Sequence, residues 1–484
     1  MKHKQPAELS YFFYGGFVDI ARVISGAFSE CGDIIGRSKD GIAEKFEDII
    51  DRFREHHLGA IFTNVPNFFM FTFYLTRLIF CSIVTPLICF FIAIFQITIL
   101  FTFFLIASIF FIIIILADRI FCAINAISNH CPTCQEHFYM PVYICSCGNE
   151  HTRLRPGIYG VLWRKCNCGK KLPTTFFNGR QKLEAKCPSC TKDVKDGGLQ
   201  ASWCIPVIGG PSSGKTCYIN MTMMSLEKDS FSKYGLKFLY EKNDIGGFDE
   251  YEEYSNRLSK GYLPDKTTDY RLRYYQFSLT PKGATKQLIS LCDVAGELFD
   301  ITQGGDIGGQ QGFKYANAFI LIVDPLSIPD YCKEVASVAK VNEYKGSTQR
   351  LDEMVETFVR TLQNIFSIKA SAMLNTDVAV VITKADIPGL DIKIGKNAII
   401  KNSPSQDQKD IYKTQNELCE KFFREYNEDG FINNLKSRFR SIQFFTCSAL
   451  GHVANGQPFV SSNVEEPFFW LVKKKSRVIS KVIK

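Results

Sequence analysis

The chain has 484 residues, a formal net charge of +8 and 18 cysteines. That length exceeds one ordinary domain and points to about three. The charge is too diffuse for a nucleic-acid-binding protein, though it suits a cytosolic surface near anionic lipid; a secreted disulfide scaffold would be shorter and denser in cysteine.

The start of the chain lacks a short apolar core followed by a small-residue cleavage site, so no signal peptide is expected. Residues 1–65 read as an amphipathic helical region. Ile20, Ile24, Phe28, Ile42, Phe46, Ile49, Ile50 and Phe53 recur at helical spacing with charges opposite. The stretch Gly32–Gly41 is expected to break it into two helices, packed on each other or lying on a membrane surface.

Between Leu78 and Ala117 no charged residue occurs, and Arg77, Asp118 and Arg119 bracket the run. A bilayer core needs about 20 helical residues, so this stretch is long enough for about two crossings. Residues 66–127 are therefore expected to form a transmembrane helical hairpin turning near Gln96 and Thr98, with a single long tilted helix as the other topology. Basic flanks on both sides place the following segments in the cytosol, which makes the chain an integral membrane protein with the lipid bilayer as its first partner.

Residues 128–200 hold four close cysteine pairs: Cys131 and Cys134, Cys145 and Cys147, Cys166 and Cys168, Cys187 and Cys190. A two-residue gap or a Cys-x-Cys-Gly turn lets two sulfurs face one ion, and four pairs make two closed four-thiolate zinc sites. Closed sites hold a fold together and leave no place for a reactive water. The simplest assignment joins the pairs in order, first with second and third with fourth. A cross-braced assignment joins first with third and second with fourth. His151 offers an alternative to Cys147. Eleven Lys and Arg stand against five Asp and Glu here, a formal +6 that two zinc ions with eight thiolates reduce to about +2. Nucleic acid is thus not an expected partner.

Residues 201–484 carry the nucleotide site. Ala201–Ile208 reads as a buried strand. It runs into Gly209, Gly210, Pro211, Ser212, Ser213, Gly214, Lys215 and Thr216, a full G-x-x-x-x-G-K-[ST] phosphate loop, with Cys217 opening the next helix. Glycines let backbone N–H groups converge on phosphate, Lys215 neutralises the β and γ phosphates, and the Thr216 hydroxyl ligates Mg²⁺. Asp293-Val-Ala-Gly296 follows the strand Leu288–Cys292. Its aspartate suits Mg²⁺ through water, and Gly296 suits the γ phosphate. Thr383-Lys384-Ala385-Asp386 follows the strand Val378–Ile382, and Ser448-Ala449-Leu450 follows Gln443–Thr446. Strand Phe319–Val323 completes the core of an α/β fold with a mostly parallel central sheet. The polar stretch Ile392–Gln408 reads as a surface excursion, and the lysine-rich end as a solvated helix.

These four motifs resemble those of the TRAFAC class of P-loop GTPases, whose [NT]KxD and SA[KL] segments read guanine. The resemblance implies that Asp386 accepts hydrogen bonds from the guanine N1–H and exocyclic amine. It also implies that Lys384 packs along the base and braces the phosphate loop, and that the Ala449 backbone meets O6. It places a Mg²⁺-sensing threonine at Thr267 or Thr268, with Thr268 favoured. Where many small GTPases carry Gln after DxxG, this chain has Glu297, which implies slow or partner-activated hydrolysis.

Residues 201–484, with the cysteine-rich module before them, are similar to bacterial proteins termed double-GTPase. That resemblance implies a GTPase switch using GTP or GDP and Mg²⁺ at the bacterial inner membrane. It also implies protein partners such as a second GTPase or an activating protein. A GTP-binding scaffold that does not hydrolyse is the alternative.

Overall fold

The computed structural model describes residues 5–55, 60–124, 129–131, 136–194, 201–241, 247–264, 273–284, 286–294, 313, 316, 318–336, 344, 346–369 and 372–483. The chain divides into two compact units, Met1–Ile120 with Ile144–Arg180, and Phe121–Tyr143 with Gln181–Lys484.

In the first unit, α1 spans Gly16–Glu55 without a break. The expected interruption at Gly32–Gly41 is absent. Gly41 is instead a packing residue: a Cβ there would lie 2.9 Å from the Tyr74 ring. The side chain is missing because a second helix crosses closely at that point, and the cost of glycine within a helix, about 1 kcal/mol, is offset by that packing. The second helix is α2, Val65–Ile79, followed after one π-helical turn by α3, Thr85–Ile124. Phe46 meets Phe71 with ring centroids 6.3 Å apart, and Phe12 stacks on Phe104 at 5.3 Å. Contacts thus advance in opposite directions along the two arms.

The apolar run therefore forms a hairpin partner for α1 and is not itself a hairpin. The turn expected at Gln96 and Thr98 is a correction, because α3 continues straight through both. The Thr98 hydroxyl donates to the Ile94 carbonyl at 2.8 Å, and Thr102 donates to the Thr98 carbonyl at 2.9 Å. Back-bonding of this kind satisfies a hydroxyl inside a helix. Val65–Ile124 is one helical run long and apolar enough to cross a membrane, and its Phe, Ile and Leu side chains are exposed along most of its length.

Near the end of α3, the buried Asp118 accepts the Phe176 N–H at 2.7 Å and pairs with the buried Arg180 at 3.5 Å. Arg180 also donates to the carbonyls of Thr174 at 2.6 Å and Leu154 at 3.3 Å. The first charge after the apolar run is thus a buried tie to the cysteine-rich segment. The chain start docks on the same segment: Asn167 N–H donates to the Pro6 carbonyl, and Lys165 pairs with Glu8 at 2.8 Å.

The second unit is built on a seven-stranded sheet. Its elements are β1 (Ala201–Gly209), α4 (Lys215–Tyr234), β2 (Leu236–Tyr240), α5 (Gly247–Ser259), β3 (Arg273–Pro281), β4 (Gln287–Asp293), β5 (Ala318–Val323), α6 (Pro329–Ala336), α7 (Leu351–Phe366), β6 (Leu374–Ile382), α8 (Gln408–Glu425), α9 (Asp429–Arg438), β7 (Phe439–Thr446) and α10 (Glu466–Lys475). The strand order is β2-β3-β4-β1-β5-β6-β7. Strands β4, β1, β5, β6 and β7 are parallel, while β2 and β3 pair antiparallel at one edge. Every residue of β4 and of β5 is buried, as expected for strands covered on both faces.

The stretch Ile392–Gln408 differs from a surface excursion. It holds two short helices, Leu390–Ile394 and Lys396–Asn402, that bury Leu390, Ile394, Ala398 and Ile399. Lys396 and Lys401 are exposed, while Lys393 is half-buried and pairs with Glu425 at 2.8 Å.

Candidate functional site

Each motif lies where a parallel strand ends, so the sheet delivers all four to one edge, the place where open α/β sheets bind ligands. Strand β1 runs into the phosphate loop. Gly214 has φ +90° and caps α4. A Cβ on Gly209 would stand 2.7 Å from the Ile322 carbonyl, and one on Gly210 would stand 2.5 Å from Ser347 Oγ, so the loop has no room for side chains at those positions. Lys215 is buried and donates to the Gly209 and Gly210 carbonyls at 3.0 and 2.8 Å. Ser213 Oγ is buried with no hydrogen-bond partner among the described residues, as fits a hydroxyl that meets a phosphate oxygen. The loop thus fits an anion: a helix N-terminus and a buried ammonium meet at a backbone with no room for side chains.

At the end of β4, Asp293 Oδ2 accepts the Thr216 hydroxyl at 2.7 Å. A hydroxyl and a carboxylate held together beside a phosphate loop are hard oxygen donors that suit Mg²⁺. Cys217 is the next residue. Burial, and then the Asp293 carboxylate, push its thiol up to about 12, so it stays protonated and does not compete as a ligand.

The remaining two motifs follow β6 and β7. Thr383 Oγ1 donates to the Ser213 carbonyl at 3.0 Å. Lys384 reaches the Ser212 carbonyl at 3.4 Å and pairs with Asp324 at 2.6 Å. These contacts tie the Thr383-Lys384-Ala385-Asp386 segment directly to the phosphate loop. The Ser448 hydroxyl donates to Asp386 Oδ1 at 2.5 Å and accepts the Gly451 N–H at 2.7 Å. The Ala385 N–H donates to the Cys447 carbonyl at 3.1 Å. Ala449 is buried and Leu450 half-buried in the same turn. The structure therefore brings Lys215, Thr216, Asp293, Lys384, Asp386 and Ser448 into one site through short hydrogen-bonded links. Thr267, Thr268, Gly296, Glu297 and Cys134 lie outside the described residues.

Asp324, directly after β5, joins this cluster through Lys384 and Ser347. It was legible only as the residue ending a buried strand, because its partners, Lys384 and Ser347, are far away in the chain.

The cysteines form two groups whose sulfurs lie within 4.8 Å of one another: Cys145, Cys147, Cys166 and Cys168, and Cys131, Cys187 and Cys190. The second pair meets the third, and the first meets the fourth. This nested arrangement replaces both assignments expected from sequence. Its cause is visible in the backbone: Val142 pairs with Lys186 and Tyr143 with Ala185 as antiparallel neighbours, so the flanking arms return on each other. Within the inner group, Trp163–Lys165 and Lys171–Pro173 form a hairpin that carries Cys166 and Cys168 in its turn. Gly148 and Gly169, at φ +84° and +91°, close matching turns after each Cys-x-Cys, donating to the Cys145 and Cys166 carbonyls at 2.8 Å.

The Sγ–Sγ separations of 3.6 and 3.7 Å in the inner group and 3.4 Å between Cys131 and Cys190 approach the spacing of about 3.8 Å that tetrahedral Zn–S bonds of about 2.3 Å require. The residues fit zinc. Burial opposes ionisation of Cys166, but the Asn149 amide at 3.4 Å, the Cys168 N–H and His151 bring its thiol down to about 6. His151 is fully buried beside this group and is not a surface histidine.

The fold and site define a P-loop nucleotide-binding domain of the GTPase-like class. Residues 203–437 match the family model described as Double-GTPase 2 (DO-GTPase2), which supports a double-GTPase family for this domain. No curated protein matches the chain. Among solved structures, it is similar to the S. cerevisiae Ski7 GTPase-like domain bound to GDP and inorganic phosphate, at 11% identity over 56% of this chain and 49% of that chain, with a TM-score of 0.26. The same domain bound to GTP matches at 12% identity over 51% of this chain and 43% of that chain, with a TM-score of 0.23. The chain thus spans about half the length of these structures or less.

Proposed function

We propose that this chain is a membrane-anchored, GTP-hydrolysing switch with its nucleotide site in the cytosol. The observation that carries this reading is the Lys384 bridge, which joins the base-reading segment at Asp386 to the phosphate loop at Ser212. One bound molecule would then touch a phosphate grip and a purine-reading carboxylate at once.

In this reading Lys215 leaves the Gly209 and Gly210 carbonyls and neutralises the β and γ phosphates. Thr216 and Asp293 would hold Mg²⁺, which supplies charge neutralisation between the phosphates. Asp386, steadied by Ser448, accepts from the guanine N1–H and exocyclic amine, a donor pair that adenine lacks. Attack of water on the γ phosphorus breaks its bond to the bridging oxygen and yields GDP and inorganic phosphate. The segments around Thr268 and Gly296 respond to that loss. The Val65–Ile124 run anchors the chain in a bilayer, and two zinc ions hold the cysteine groups.

A single-turnover assay on the full-length protein tests this. GTP is expected to be bound and converted to GDP, and Lys215→Ala is expected to abolish both. Wild-type GTP affinity in Lys215→Ala would show the site to be misplaced. Binding without conversion would favour the scaffold reading, which Glu297 supports because a carboxylate there repels the γ phosphate.

A further inference from the structure

Asp324 follows β5 and is 1% exposed. Both of its oxygens are engaged. Oδ1 accepts the Leu326 N–H at 3.0 Å, and Oδ2 accepts the Ser347 N–H at 2.7 Å and the Lys384 ammonium at 2.6 Å. A turn cap would need only the first of these contacts. The other two reach segments that line the nucleotide site.

Lys384 stands at φ +57°, a left-handed backbone that a lysine adopts only when its surroundings hold it there. Its ammonium contacts Asp324 and the Ser212 carbonyl, and the Ile387 N–H donates to its carbonyl at 3.0 Å. Two residues later comes Asp386, so the set of this backbone aims the base-reading carboxylate. On the other side, Ser347 begins a stretch pressed on the phosphate loop. Its Oγ would be 2.5 Å, and Gln349 Oε1 3.1 Å, from a Cβ on Gly210. One buried oxygen thus joins the base-reading segment and the loop-covering segment.

We propose that Asp324 is a positioning residue of the nucleotide site, presenting Lys384 to the purine and pinning residues 346–350 against the phosphate loop. The proposal rests on the guanine-nucleotide reading above and assigns that site its buried organiser. Asp324→Asn is the informative variant. It is nearly isosteric, but an amide nitrogen in place of Oδ2 accepts from neither Ser347 nor Lys384.

The test uses full-length protein in detergent and measures Kd for GDP and for IDP, which lacks the exocyclic amine, by displacement of a fluorescent guanine nucleotide. GDP affinity is expected to fall about tenfold or more, the GDP-to-IDP preference to narrow, and Asp324→Asn/Lys384→Met to bind GDP no more weakly than Lys384→Met alone, since the two act as one unit. A merely structural aspartate would leave the GDP-to-IDP ratio intact and would add its effect to that of Lys384→Met; either result overturns the proposal. Should thermal melting show Asp324→Asn unfolded, Asp324→Glu keeps the charge and displaces the carboxylate by one methylene. A narrowed GDP-to-IDP ratio then supports the proposal, and an unchanged ratio overturns it. Wild-type protein that binds no GDP overturns the guanine reading itself, a result distinct from a wild type and variant that bind alike.

Discussion

Replacing Ser448 with Ala removes one hydroxyl that performs two tasks. It donates to Asp386 Oδ1 at 2.5 Å and accepts from the Gly451 N–H at 2.7 Å. Ser448 is buried, so water does not readily replace it. A hydrogen bond to a charged group contributes about 1.5–3 kcal/mol, and each 1.4 kcal/mol is about tenfold in affinity. Losing the hold on Asp386 should therefore weaken GDP binding by roughly 10- to 150-fold. The stranded Gly451 N–H costs roughly 1–3 kcal/mol of stability. Isothermal titration of wild type and Ser448→Ala with GDP and ADP reads the first effect, and thermal melting reads the second. GDP should suffer and ADP should not if, as proposed, only the guanine edge meets Asp386. A GDP Kd within about threefold of wild type, or equal losses for both nucleotides, would refute the reasoning.

Thr216→Ala should weaken Mg²⁺-dependent GTP binding by an order of magnitude or more while sparing Mg²⁺-free GDP binding, measured by nucleotide titration with and without chelator. Arg180→Met leaves Asp118 buried without its cation and should destabilise the first unit by about 3–5 kcal/mol in denaturant melts; Asp118→Leu/Arg180→Met should recover part of that loss. The nested cysteine groups make a stoichiometric prediction. Cys145→Ser/Cys166→Ser should retain about one zinc per chain by elemental analysis, because both residues serve the same site. Either pairing expected from sequence would lose both ions in that variant.

The phosphate loop was legible because its chemistry is local: eight consecutive residues specify glycine freedom, a lysine and a metal-binding hydroxyl. The same holds for the Thr383–Asp386 and Ser448–Leu450 segments, whose flanking β-branched and aromatic runs mark strands. What stayed hidden depended on contacts across long stretches of chain. Gly41 looks like a helix break until Tyr74 is seen against it. Thr98 looks like a turn until its hydroxyl is seen bonded to the Ile94 carbonyl. Asp118 reads as the charge that closes an apolar run, yet its partner Arg180 buries it. Cysteine spacing identifies pairs but not which pairs meet, because that depends on the antiparallel return of Val142–Tyr143 onto Ala185–Lys186. Asp324 belongs to the same class: nothing beside it in the chain announces Lys384 and Ser347 as its partners.

Selectivity among purines tests the central claim most directly. Titrated with GDP, ADP and XDP, the full-length protein should bind GDP at least a hundredfold more tightly than the other two, and Asp386→Asn should exchange GDP for XDP as the preferred ligand. Equal affinity for GDP and ADP, or a guanine preference unmoved by Asp386→Asn, would contradict the assignment of this site.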